Sequence, residues 1–304
     1  MTLKVARTLK QALLKVPAVR ELRERAARAL LMANSSSAAK TGQLQLALSW
    51  KALARRGDPL PAFGDVEFRA YSQNGEDGIL LYLFSLLGTT NKVAVEICAG
   101  DGIQCNATNL ILNHGWTGLL VDGGEEEVRR GRAFFASHPD TFSFPPTFVR
   151  EWVDRETIND VIAKHGVRGE IDLLSIDLDG VDYWVWEALD VIRPRVVVVE
   201  TQCIWGADAA VTIPYARDFQ APLVDGFGIY GGASLPAFVK LGRRKGYRLV
   251  GAQALGFNAF FVRDDLGIDL LPEVSAAACL DRPFVRWATE RFLPLVRDKA
   301  WVEV

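Results

Sequence analysis

Two sets of small and acidic residues carry the chemistry open to this chain. The first reads Glu96-Ile97-Cys98-Ala99-Gly100-Asp101-Gly102; a helical segment and a second apolar run follow it and lead to Asp122. A turn of small residues lets the backbone approach a ligand closely, and an acid after the second strand can accept both hydroxyls of a ribose. A dinucleotide fingerprint would place three glycines before a helix N-terminus that faces a pyrophosphate. Here an acid, Glu96, sits on the strand itself, which suits a ligand carrying an amine.

The second set is Asp177-x-Asp179-x-x-Asp182 with Glu200. Carboxylates gathered at one edge are costly unless protonated or neutralised by a cation. Hard oxygen donors suit Mg²⁺, Mn²⁺ or Ca²⁺ rather than zinc. A cation held by Asp177, Asp179, Asp182 and Glu200 would lower the pKa of an acceptor hydroxyl. Two other readings stay open: Asp177 or Asp179 as a metal-free base, or a local role in which Asp179-Gly180 forms a turn and Asp182 caps a helix.

These residues need elements that end where they stand. Strands are expected over Val93–Ile97, 118–121, Thr147–Arg150, 171–176 and 196–199, the last after Pro194. Helices are expected at 106–113, Glu125–Ser137, 155–165 and 181–191, so strands and helices alternate as in a parallel sheet covered on both faces. A helix over 234–244 leads into a closing pair, 247–251 and 259–262. Ligands of such sheets lie beyond the carboxyl ends of the strands, where both acidic sets fall. His114, His138 and His165 all follow helices and precede strands. They are expected at the opposite edge, which argues against a histidine base and a Ser/His/Asp hydrolase. The irregular stretch 205–232, with Trp205, Tyr215 and Tyr230, is long enough to cover the ligand edge, and its aromatic faces would suit a sugar ring. At least one of Trp184 and Trp186 is expected in the core.

The glycine turn resembles motif I of class I S-adenosylmethionine (SAM) methyltransferases, Asp/Glu-x-Gly-x-Gly-x-Gly, with Cys98 in place of the first glycine. Six segments together resemble the FkbM-like methyltransferases, and more closely their relatives associated with bacterial surface-polysaccharide genes: YSQNGEDGIL (71–80), VEICAGDG (95–102), NATNLILNHGWTGLLVD (106–122), LLSIDLDGVDYWVWEAL (173–189), YGGASL (230–235) and KGYRLVG with NAFFVR (within 245–263). The resemblance spans roughly 65–265. It implies an α/β, Rossmann-like class I methyltransferase fold with a mostly parallel seven-stranded sheet and an antiparallel last strand. By analogy with SAM sites, Glu96 and the backbone of Cys98, Ala99, Gly100, Asp101 and Gly102 would hold the methionine part. Asp122 would take the ribose, Trp152 and Asp154 would flank the adenine, and Gln73 would close over the cofactor. Asp177 and Asp179 would be the catalytic acids, with Mg²⁺ or Mn²⁺ as an additional cofactor in the metal reading.

The implied activity is O-methylation of a hydroxyl on a saccharide or glycosylated natural product. Two rivals stay open: a non-catalytic scaffold of the same fold in polysaccharide assembly, and a nucleotide-sugar-modifying Rossmann enzyme. A net charge of −2 over 304 residues gives no general pull toward nucleic acid. The domains are expected at 1–60, a basic helical appendage, and 61–304, the catalytic body, with 35–39 as linker. Residues 1–40 hold nine Lys/Arg against Glu21 and Glu24. That segment suits a solvated helix packing on the body or on a second subunit, or a peripheral contact with an anionic inner membrane. Scattered cysteines and no signal peptide fit a reducing cytoplasm.

Overall fold

The computed structural model describes residues 37–304, residue 225 excepted. The chain divides into two compact units, Met1–Leu46 and Ala47–Val304. Of the first, the described part is the start of helix α1 (Ser37–Arg56). Ser37, Ala38 and Ala39 are thus helical, not linker. The expectations for the basic segment lie outside the described residues up to 36. Among the described residues, no helix is long and apolar enough to cross a membrane.

In the second unit, α2 (Phe63–Val66) and α3 (Glu76–Leu87) precede β1 (Val93–Ile97). The alternation then runs α4 (Thr108–His114), β2 (Thr117–Asp122), α5 (Glu125–Ser137), β3 (Thr147–Arg150), α6 (Ile158–Lys164), β4 (Gly169–Ile176), α7 (Asp182–Ala188) and β5 (Ile192–Glu200). A short strand β6 (Val211–Thr212), helix α8 (Leu235–Lys245), strands β7 (Tyr247–Ala252) and β8 (Asn258–Arg263), helices α9 (Ala276–Leu280) and α10 (Pro283–Val296) and strand β9 (Val302–Glu303) complete it.

Seven strands form one sheet in the order β3-β2-β1-β4-β5-β8-β7. The pairs among β1 to β5 are parallel, while β8 runs antiparallel to both β5 and β7. This is the Rossmann-like class I methyltransferase fold. Chain order reverses between β1 and β4, which opens a crevice at their carboxyl ends. The central strands are uninterrupted β-branched and apolar runs; Val196, Val197, Val198 and Val199 are completely buried. Trp186 is core, and Trp184 keeps one edge out by donating Nε1–H to the Ile213 carbonyl (2.9 Å).

Strand β5 begins four residues before the expected start and runs through Pro194. Proline has no N–H to give a ladder, but β8 ends its pairing at Val196, so none is required on that side. The Pro194 carbonyl is instead met by the Tyr247 hydroxyl at 2.7 Å.

The SQNGEDG segment is a folding device in front of the sheet. Asp77 is buried, and its carboxylate accepts the N–H groups of Ala70, Tyr71 and Ser72, while the Ser72 hydroxyl accepts from the Asp77 N–H. Gly78 is packed so closely that a Cβ there would lie 2.0 Å from the Val66 carbonyl oxygen and 2.5 Å from the Phe68 nitrogen. Both neighbours are backbone and cannot swing aside. Gly78→Ala is expected to cost about 3 kcal/mol or more, read as a fall in the urea midpoint without a change in slope.

Candidate functional site

The ends of β1, β2, β4 and β5 and the start of β8 meet at one edge, and three cavities open there. The first, of 400 Å³, is bounded by Gln73, Glu96, the Cys98–Asp101 turn, Asp177, Glu200 and Asn258. The second, of 520 Å³, is bounded by Cys98, Asp122, Trp152, Leu178, Asp179 and Phe219. The third, of 330 Å³, reaches from Asp179 and Glu200 to the aromatic residues of α10. Cys98 is common to the first two, Glu200 to the first and third, and Asp179 to the second and third.

The turn after β1 has the conformation its composition requires. Cys98 has φ +64°, a left-handed value that explains why a glycine would also serve there. Gly102 has φ +68°, and a Cβ would come within 2.9 Å of the Phe148 and Phe135 rings. Desolvation and the surrounding carboxylates, Asp122 and Asp177 first, push the Cys98 thiol up, against thiolate formation, although the residue is exposed at the cavity edge. All four cysteines are unbridged.

Glu96 is buried, and its two oxygens accept the N–H groups of Asn106 and Ala107, each at 2.7 Å. It therefore caps the approach to α4 from the strand while forming part of the first cavity's wall. Burial pushes its carboxyl up against those two bonds. Asp122 ties the turn to the next loop: it accepts from Gly100 N–H (2.8 Å) and Gly124 N–H (2.7 Å). Trp152 lies against Gly123, at 57 % exposure, with its ring over the second cavity. Asp154 does not bound any of these three cavities. Its carboxylate accepts from the N–H groups of Glu156 and Thr157 and pairs with Arg217 of the long loop at 2.6 Å.

The acidic set divides. Asp177, Asp179 and Glu200 can each turn one oxygen to a common point, the three within 4.8 Å of one another. Asp182 departs from its expected role as a fourth ligand. It is completely buried and accepts the N–H groups of Leu178 (2.7 Å) and Gly180 (3.0 Å). That closes the turn in which Asp179 has φ +53°, so Asp182 presents Asp179 rather than joining it. Burial and mutual repulsion push Asp177 up to about 7 and Asp182 up to about 6, and push Glu200 well above its usual range. The rise at Glu200 comes from burial first and then from the charge of Asp177 beside it.

Among the described residues, no histidine bounds these three cavities. His165 is nevertheless nearer the ligand edge than expected. Helix α6 is only two turns long, so the imidazole comes within 3.5 Å of Glu151, which borders the second cavity.

The long loop does cover this edge, but through other residues than expected. Trp205 and Tyr230 stack edge-on against Trp301, at 5.0 and 5.3 Å between centroids. Tyr215 bonds to Glu156 and lies under Arg155. Phe219, Ala221 and Leu223 face the second cavity instead. The loop is pinned where β6 pairs with β9. Trp301→Ala removes both ring contacts and the Nε1–H bond to Val296. It is expected to cost about 2–4 kcal/mol and to speed proteolytic cutting within 206–232.

Sequence reasoning missed Asn258 and the aromatic residues of α10. Asn258 opens β8 opposite Glu200 and donates to Glu76 (2.8 Å), while its Oδ1 is buried without a partner at the wall of the first cavity. Its only signal was its place at the mouth of a strand that follows a tight turn.

No family model and no curated protein sequence matches the chain. Solved structures of similar fold include a SAM-bound magnesium protoporphyrin IX methyltransferase from Synechocystis, 13 % identical over 62 % of this chain and 77 % of that one, TM-score 0.35. A SAM-dependent methyltransferase from Clostridium acetobutylicum is 9 % identical over 62 % and 90 %, TM-score 0.38. A glycopeptide N-methyltransferase complexed with sinefungin is 12 % identical over 62 % and 86 %, TM-score 0.39. At these values the likeness concerns the fold, and nothing about this chain's ligand is taken from it.

Proposed function

We propose that this chain is a SAM-dependent O-methyltransferase acting on a hydroxyl of a saccharide or glycosylated natural product. The observation that carries the reading is the position of the Cys98 turn. It divides a polar cavity at Glu96 and Asn258 from a less polar one at Asp122 and Trp152, directly beside Asp177 and Glu200. An amino-acid end fits the first, where the unpartnered Asn258 Oδ1 can accept from an amine. A nucleoside fits the second, with Asp122 at its ribose and Trp152 on its base. The SQNGEDG and SIDLDGVDYWVW motifs support the FkbM-like assignment.

When bound, SAM supplies a methyl group on a positively charged sulfur. The acceptor oxygen forms the new O–CH₃ bond as the S–CH₃ bond breaks, and S-adenosylhomocysteine leaves. Asp177 takes the hydroxyl proton; an acid held near 7 is matched to that task. The site otherwise works by alignment. The donor set of Asp177, Asp179 and Glu200 fits a hard cation such as Mg²⁺ or Mn²⁺, which would acidify the hydroxyl there.

Calorimetric titration of the metal-stripped protein with S-adenosylhomocysteine, with and without Mg²⁺ or Mn²⁺, tests the reading. Micromolar binding is expected. A folded sample that binds none, but takes a nucleotide sugar or NAD, would move the chain to the rival enzyme class.

A further inference from the structure

The third cavity has a different character from its two neighbours. Its walls are Ile204, Phe227, Phe257, Phe284, Trp287 and Phe292, and its inner end is Asp179 and Glu200. The two neutral polar side chains along it already donate within the fold. Thr201 donates to the Gly256 carbonyl (2.7 Å), and Gln202 donates to that of Ile229 (3.1 Å). A bare sugar here would bury hydroxyls against rings that cannot bond them, at a cost of about 1–3 kcal/mol for each unsatisfied group.

The rings hold one another in place. Phe257 meets Phe284 at 5.3 Å, Phe284 meets Trp287 at 5.6 Å, Trp287 meets Phe292 at 5.5 Å and Phe292 meets Phe227 at 5.1 Å. Such edge-on and tilted contacts fix ring positions without a ligand. Trp287 and Phe227 are still 50 % and 47 % exposed at the mouth. Large rings left half in water beside a cavity mark a surface that gains by being covered.

We propose that this aromatic chamber is the acceptor subsite, and that the acceptor carries an apolar aglycone or chain next to a hydroxyl that enters at the Asp179 and Glu200 end and reaches Asp177 as part of the same acidic trio. The proposal rests on the methyltransferase reading and narrows its substrate class, favouring glycosylated apolar compounds over free saccharides. The chamber shares Glu200 with the first cavity and Asp179 with the second, so the acids stand where donor and acceptor cavities adjoin.

The test uses the full chain with saturating S-adenosylhomocysteine and two probes, phenyl and methyl β-D-glucopyranoside, followed by saturation-transfer NMR. Saturation of the phenyl protons is expected, with little or none for the methyl glucoside. Trp287→Ala and Phe227→Ala should each weaken the phenyl probe by about fivefold or more while binding S-adenosylhomocysteine as the parent does. Equal response from both probes, no phenyl signal, or unchanged affinity in both variants overturns the proposal. Absence of S-adenosylhomocysteine binding in the same samples would overturn the cofactor reading instead, so the two failures are told apart.

Discussion

Asp177→Asn is expected to lower methyl transfer by about 10²–10⁴-fold and to leave S-adenosylhomocysteine affinity within about twofold of the parent. Asparagine keeps the size of the side chain and its capacity for one hydrogen bond to Glu200. It cannot take a proton from a hydroxyl. The rate is read as S-adenosylhomocysteine released with saturating acceptor. Asp177 earns this place through three observations: it follows β4 at the crevice, it belongs to the acidic trio, and burial with the charges of Asp182 and Asp179 lifts it to about 7. A variant that turns over at the parent rate would remove Asp177 from the chemistry.

Asp182→Asn should behave differently although its carboxyl is raised for similar reasons. Its two oxygens accept backbone N–H groups that place Asp179. Its loss would fall first on stability and on the Asp179 turn. The two variants therefore separate a proton acceptor from the residue that shapes the loop beside it.

The parallel part of the fold was legible because its strands are short apolar runs bounded by acids and glycines, and each carboxyl end announces itself. Glu96, Asp122, Asp177 and Glu200 were placed at one edge by that logic alone. Local hydrogen bonding was less legible. Asp182 and Asp154 carry the same chemistry as their neighbours in sequence, but their oxygens are taken up by N–H groups of their own turns, as short-range Asx bonding allows. The aromatic chamber was not legible at all. Its rings come from the loop at 227, the turn at 257 and helix α10, and only the return of α10 to the sheet edge brings them together. The aromatics that looked exposed in the long loop, Trp205 and Tyr230, were instead consumed in holding it down against Trp301.

The metal-free protein is expected to lose stability as pH rises from about 4 to 8, and a divalent cation is expected to restore it, increasingly so at the upper end. Asp177 and Asp182 are held at about 7 and about 6, and Glu200 well above its usual range. The folded chain thus keeps protons that the unfolded chain has already released. Stability from such raised acids is fully present below the unfolded pKa values and is lost as pH passes through the folded ones. Asp77, buried and raised to about 6, and Glu96 contribute to the same fall but lie outside the acidic trio. A cation at Asp177, Asp179 and Glu200 must displace protons, so it binds weakly near pH 5 and more tightly near pH 8. At a hundredfold excess over its Kd it adds about 2.7 kcal/mol, which in a protein of 304 residues is about 4 °C in Tm. Asp179 is exposed, but its charge helps raise Asp177, Asp182 and Glu200, so Asp179→Asn should lose the response to Mn²⁺ and make the metal-free pH slope shallower without abolishing it. Melting curves at pH 5, 6.5 and 8, with and without Mn²⁺, separate the two uses of this cluster. A rise confined to the parent at high pH assigns the trio to a cation. A pH slope with no response to Mn²⁺ at pH 8 leaves Asp177 as an unassisted base.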